Sequence, residues 1–184
     1  MTINSQASIP ASLAAWPVAL GIATVVGSLA AACMLPFVAL AVLAAGTMSR
    51  GHAIATILAI WGVNQILGYT VMGYPQTAYS VGWGLALGAA ALLAGLVARL
   101  VLKGRRDFAI LPMIGAFAGA FVGYELLLFG YAQIVGGTDN FTTPIVMLIL
   151  TNDALWFAGL GALYQVLTRT APRVFGPAPA LRMV

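Results

Sequence analysis

From Leu13 to Met48 the chain carries no charged side chain. As one helix this stretch of about 36 residues would reach roughly 54 Å at 1.5 Å per residue, against a bilayer hydrocarbon core of about 30 Å. It therefore folds back on itself as two spans. The turn falls either at Gly27-Ser28 or around Cys33-Met34-Leu35-Pro36. A kink at Pro36 inside the second helix fits the first choice. Four further apolar runs follow: Ala53 to Tyr69, Val81 to Leu102, Phe108 to Ile134 and Thr142 to Leu167. Tyr74-Pro75-Gln76-Thr77 is a turn, because Pro presets φ and restricts the residue before it. Gly136-Gly137-Thr138-Asp139-Asn140 is the loop before the last run.

Hydrophobic residues make up 62% of the 184 and charged residues only 7%. A soluble domain is about 45–50% apolar and about 25% charged. Eight Lys and Arg with four Asp and Glu cannot cover a water-exposed surface of this size. This excludes a soluble domain, a disordered chain and a nucleic-acid binder; a single cysteine excludes a disulfide scaffold. The placement of the basic residues is more telling than their sum. Arg50 follows the second span, Arg99, Lys103, Arg105 and Arg106 end the fourth, and Arg169, Arg173 and Arg182 follow the sixth. With six spans all of them fall on one side, which the positive-inside rule makes cytoplasmic. The expected fold is an all-α membrane protein, a six-transmembrane-helix bundle with both termini cytoplasmic, in a bacterial inner membrane. Residues 1–12 form a polar N-terminal segment, 13–168 the bundle, and 169–184 a Pro-containing cytoplasmic tail lying loosely at the surface. A single helix over 13–48 would move only the N-terminus, so the basic residues do not exclude it; length does.

Glycine is abundant, with 21 residues. Gly115, Gly119 and Gly123 form a ridge at helical spacing, and Gly84 and Gly88 a second pair. Small residues let helix backbones approach each other in lipid. They serve packing within the bundle; alternatively, a small-residue face of the first two spans docks a partner membrane protein.

Ionisable side chains inside a span are functional candidates, because they are costly unless satisfied. Two acids qualify: Glu125 in the outer half of the fifth span and Asp153 near the middle of the sixth. Neither has a basic residue at its own depth. Such a carboxyl group carries a proton, bonds neutral Asn or Tyr side chains nearby, or receives a cationic ligand. Other polar and aromatic residues gather at matching depth. Asn64 and Gln65 sit mid-span in the third helix with Tyr69 further out, Tyr74 lies in the following loop, and Asn152 and Trp156 flank Asp153. The cytoplasmic halves of the same helices are plain Leu, Ala, Val and Gly. This asymmetry points to an outward-opening cavity with aromatic faces and a few polar anchors, as small-molecule sites usually have. Its candidate lining is Asn64, Gln65, Tyr69, Tyr74, Glu125, Asn152, Asp153 and Trp156. The segment Met72 to Ser80 is a candidate lid. Trp16, Tyr79 and Tyr131 fit an interfacial aromatic belt better, whereas Trp61 and Trp156 lie too deep for one.

Catalytic and metal-binding signals are weak. His52, the one histidine, sits beside Arg50 at a span end and reads as a solvated residue. Cys33 reads as an apolar filler, or alternatively as a soft ligand for a cofactor metal. There is no Gly-rich phosphate motif, no His-Glu pair and no Ser-His-Asp set. An enzyme, a cofactor and a metal site are therefore not expected.

Six short helices in a chain of this length, Ala- and Gly-rich early helices and an aromatic-polar outer half resemble the S components of energy-coupling factor vitamin transporters. In that family a small-residue face of the first helices docks a coupling subunit; Ala15 to Ala19 and Ala41-Val42-Leu43-Ala44-Ala45 are the corresponding small steps here. The resemblance implies that a vitamin-like solute binds from outside and that the subunit topples to release it inward. It also implies partners: a coupling membrane subunit and ATPases, besides the solute and membrane lipids. Stacking would come from Trp156 and Tyr69 or Tyr74, and hydrogen bonds from Glu125, Asn64, Gln65 and Asn152. Two other classes compete: a non-catalytic accessory or assembly subunit of a larger membrane complex, and a membrane enzyme acting on lipid, for which the necessary acid–base pair with a metal or nucleophile is missing.

Overall fold

A computed structural model describes residues 11–30, 35–103 and 108–176. In it the long uncharged stretch breaks between helix α1 (Ala11–Ala30) and helix α2 (Phe37–Thr47). α1 runs on through Gly27-Ser28, so the first of the two expected turns is excluded; Cys33 and Met34 of the second lie outside the described residues. Pro36 stands at the N-cap of α2, where a missing N–H breaks no helical hydrogen bond, and it kinks nothing. The polar start of the chain (residues 1–10), Cys33, Arg105, Arg106, Arg182 and the tail prolines Pro177 and Pro179 lie outside the described residues.

After a short break at Met48-Ser49 come α3 (Arg50–Thr70), α4 (Ala78–Val101), α5 (Ile110–Val135) and α6 (Thr143–Thr170), with a 3-10 turn at Thr138–Phe141 and a last short helix, α7 (Pro172–Phe175). These four long helices are long and apolar enough to cross a membrane; the apolar helices Ala15–Val26 and Phe37–Thr47 are shorter. Large apolar side chains such as Ile22, Leu85, Leu126 and Leu155 stand exposed on the helix surfaces. In a bilayer that surface meets hydrocarbon, and the backbone groups are satisfied within each helix. The chain is a helical, multi-pass membrane protein.

Helix α2 is the pillar of the bundle. Its sequence FVALAVLAAGT is apolar on every side, and every residue from Phe37 to Gly46 is buried. A helix apolar all round belongs in the interior, and α2 packs against α3, α4, α5 and α6. With 11 residues it is about 16 Å long, half a bilayer. One end therefore lies inside the membrane, where its first amides need partners. Phe37 N–H donates to Leu35 O at 2.9 Å and Leu40 N–H to Pro36 O at 3.0 Å. Ala39 N–H donates to Asp153 Oδ1 at 2.9 Å, and Val38 N–H also reaches that carboxylate. At the other end Arg99 donates to Met48 O at 3.2 Å. A short buried helix thus has an acid from α6 at its positive end and a base from α4 at its negative end, the arrangement its dipole favours.

The glycine ridges pack within the chain. A Cβ at Gly119 or Gly123 would lie 3.4 Å from Val97 of α4, and one at Gly88 would lie 2.8 Å from the Trp61 ring of α3. Trp61 is fixed there by its Nε1–H, which donates to Gly84 O at 2.7 Å.

Trp16 is not a belt residue. It is only 3% exposed. Its Nε1–H donates to Thr47 Oγ1 at 2.9 Å, and its ring lies 4.7 Å from that of Tyr164. The belt expectation failed because exposure depends on the neighbouring helices, and here α6 and the end of α2 cover the ring. Part of the tail also differs from the expectation of a loose surface segment: α7 packs against α1.

Candidate functional site

A cavity of about 420 Å³ opens among α2, α3, α4, α5 and α6, in the half of the bundle away from Arg50 and Arg99. Helical spacing explains its walls. Tyr79, Trp83 and Leu87 recur every four residues along one face of α4. Tyr124, Glu125 and Leu128 face it from α5, and Ile145, Ile149, Asn152 and Asp153 from α6. Leu35 and Phe37 close the side at the start of α2; Asn64 contributes from α3, and Tyr74 from the α3–α4 connection. Asn140 and Phe141 of the 3-10 turn form the rim.

Aromatic packing sets the rings. Trp83 meets Tyr131 edge-on, with centroids 5.1 Å apart and planes at 89°. Phe141 meets Phe129 at 5.4 Å. The rim backbone runs over Trp83 and Tyr79 at Gly137, whose φ is +104° and where a Cβ would lie 3.1 Å from each side chain. Tyr74 lies on Gly68, where a Cβ would come within 2.5 Å of its ring, and its amide donates to Gly68 O at 2.9 Å. Gly73, with φ +69°, makes the reversal that brings it there.

Five of the eight residues expected at the site meet in this cavity: Asn64, Tyr74, Glu125, Asn152 and Asp153. Gln65 and Tyr69 stand behind it. Gln65 Nε2–H donates to Asn64 Oδ1 at 3.1 Å, and Tyr69 lies edge-on to Tyr74 at 6.1 Å with its hydroxyl 3.3 Å from Ser80 Oγ. They position lining residues and do not line the cavity themselves. Trp156 lies elsewhere, in a groove with Ala23, Leu160 and Leu163. Three residues beyond Asp153 a helix is still about 60° short of a full turn, enough to leave Trp156 on the flank that faces α1.

The two acids have different surroundings. Asp153, 2% exposed, accepts the first-turn amides of α2. That is a backbone partnership, where sequence pointed to Asn or Tyr side chains. Glu125 has both carboxylate oxygens buried and no hydrogen-bond partner for either among the described residues. Among the described residues no Lys, Arg or His lines the cavity. An unpaired buried carboxylate costs several kcal/mol if ionised, which makes Glu125 the candidate anchor of this cavity.

No protein-family model, curated protein or solved structure matches this chain. Among the described residues, no group of three or more His, Cys, Asp or Glu side chains is close enough to share a metal ion. A second cavity of about 620 Å³ lies between α1 and α3, lined by Gly21, Ile22, Ala59 and Ile60 among others. Its walls are almost wholly aliphatic and offer little directional bonding to a polar guest.

Sequence reasoning missed Tyr124, Phe37, Asn140 and Phe141, and set Tyr79 in a belt. The i, i+4 spacing of Tyr79, Trp83 and Leu87 was a visible signal of one shared face. Phe37 and Tyr124 had no such signal, since only the folded bundle brings α2 and α5 together.

Proposed function

We propose that this chain is a six-span protein of a bacterial inner membrane, with both termini cytoplasmic, that binds a small vitamin-like solute from the outer side for uptake. The observation that carries the proposal is Glu125, a residue of the cavity wall whose two carboxyl oxygens are buried without a partner among the described residues. A volume of about 420 Å³ falls within the range of roughly 300–1,000 Å³ usual for small-molecule sites. The mixture of aromatic rings, three asparagines and two carboxyl groups suits a guest with a flat or alkyl body and a few polar groups. The chain acts by binding and reorientation, with no covalent step. By its likeness in layout to the S components it works with a coupling membrane subunit and ATPases.

The test is purification of the tagged chain from its own membrane in mild detergent, with mass spectrometry of both protein partners and bound small molecules. The uptake role predicts a small molecule that is lost in Glu125→Leu, and a coupling subunit with ATPases. An accessory-subunit role predicts one fixed complex, no small molecule, and normal assembly of Glu125→Leu.

A further inference from the structure

We infer that the solute is an organic monocation, held with its charge on Glu125 and its body among the aromatic rings of the cavity. This rests on the solute-binding proposal and narrows it to a ligand class.

The charge inventory leads to it. Among the described residues the walls hold two carboxyl groups, Glu125 and Asp153, and no basic side chain. Asp153 is committed: its carboxylate accepts the Ala39 amide at 2.9 Å and the Val38 amide, so its charge is matched by the positive end of α2. Glu125 has no such match. One carboxyl group is therefore without a partner among the described residues, and one positive charge satisfies it. An anion would meet two carboxyl groups in a low-dielectric site. A hard divalent metal takes six or more oxygen ligands, usually from several carboxylates, and a softer one needs His or Cys; the walls supply neither set. A neutral guest would leave Glu125 either holding a proton or with its charge unpaired.

The rings fit the same class. Phe37, Tyr74, Tyr79, Trp83, Tyr124 and Phe141 line the same cavity as Glu125. Ring faces attract a desolvated organic cation, and more strongly as water is excluded. A strongly hydrated ammonium on a long polar stem would gain less from such walls than an alkylated or heteroaromatic cation.

The experiment uses the full chain in lipid nanodiscs at pH 8 and radiolabelled N-methyl-4-phenylpyridinium as probe. Competitors are 4-phenylpyridine, a neutral ring of nearly the same shape, and the dication N,N′-dimethyl-4,4′-bipyridinium. The expected result is saturable probe binding, at least tenfold tighter than either competitor. Glu125→Gln should weaken probe binding tenfold or more, about 1.4 kcal/mol, and leave the 4-phenylpyridine affinity unchanged. Glu125→Asp, which keeps the charge, should recover part of the loss and so separates charge from misfolding. Equal binding of the neutral ring and the probe, or an unchanged Glu125→Gln, overturns the monocation assignment. If the neutral ring binds saturably and the cavity-filling Ile149→Trp abolishes it, solute binding stands while the ligand class falls. No saturable binding of any of the three overturns both.

Discussion

Asp153 Oδ1 lies 2.9 Å from the amide nitrogen of Ala39, joining two residues 114 positions apart. The contact lets a half-length helix begin inside the membrane. Without it the amides of Val38 and Ala39 would face apolar side chains, a condition that nearly all buried backbone groups avoid. The same contact removes Asp153 from the charge available to a guest, and leaves Glu125 as the open acid of the cavity.

Asp153→Leu should therefore lower stability by about 1–3 kcal/mol, the usual penalty for stranding buried donors. Asp153→Asn keeps an acceptor oxygen and should lose less. Thermal unfolding of the purified variants in one detergent checks this. Equal melting of Asp153→Leu and the parent would mean that α2 does not depend on this cap.

Arg99 does the corresponding work at the other end of α2, but in a more exposed place. Arg99→Met should cost about 0.3–1 kcal/mol, less than Asp153→Leu in the same melting assay. A larger loss than Asp153→Leu would reverse the ranking of the two ends.

Much of the helical layout was legible in the sequence, and the partnerships were not. Sustained apolar runs and the Tyr74-Pro75 turn marked the long helices, because lipid-facing and core-facing positions are both apolar. Pro36 marked a boundary, but sequence did not decide whether it kinks a helix or precedes one. Asp153 stood out as an intramembrane acid; that its partner would be the first turn of α2 depends on α6 packing beside α2, which no local pattern records. Trp16 and Trp156 were misplaced for the same reason. A tryptophan near the start of an apolar run looks interfacial until neighbouring helices cover it, and a residue one turn from a site can face a different neighbour.

Trp16 and Thr47 should act as a pair. The indole N–H meets Thr47 Oγ1 at 2.9 Å and ties α1 to the end of α2. Trp16→Phe and Thr47→Val should each lose this bond, while the double variant loses it only once. A double-mutant cycle on unfolding free energies should give a coupling of about 0.5–1.5 kcal/mol. Strict additivity would show that the bond contributes nothing.

Two glycines should differ sharply. At Gly88 a Cβ would lie 2.8 Å from Trp61, whereas at Gly62 nothing lies within 4 Å. Gly88→Val should push Trp61 off Gly84 and cost about 1–3 kcal/mol, as overpacking does. Gly62→Ala should be neutral or slightly stabilising, since alanine favours the helix. Similar melting of both variants would contradict the close α3–α4 contact.

The central claim is that Glu125 faces a cavity reached from the outer side. In a Cys33→Ser background, Ile149→Cys places a thiol on the cavity wall in intact cells. Its reaction rates with a membrane-impermeant cationic methanethiosulfonate and an anionic one test the claim directly. The predicted result is modification from outside, faster for the cation, with that preference lost when Glu125→Gln is added. A thiol that resists both reagents from outside, or reacts equally with both whether or not Glu125 is present, would contradict it.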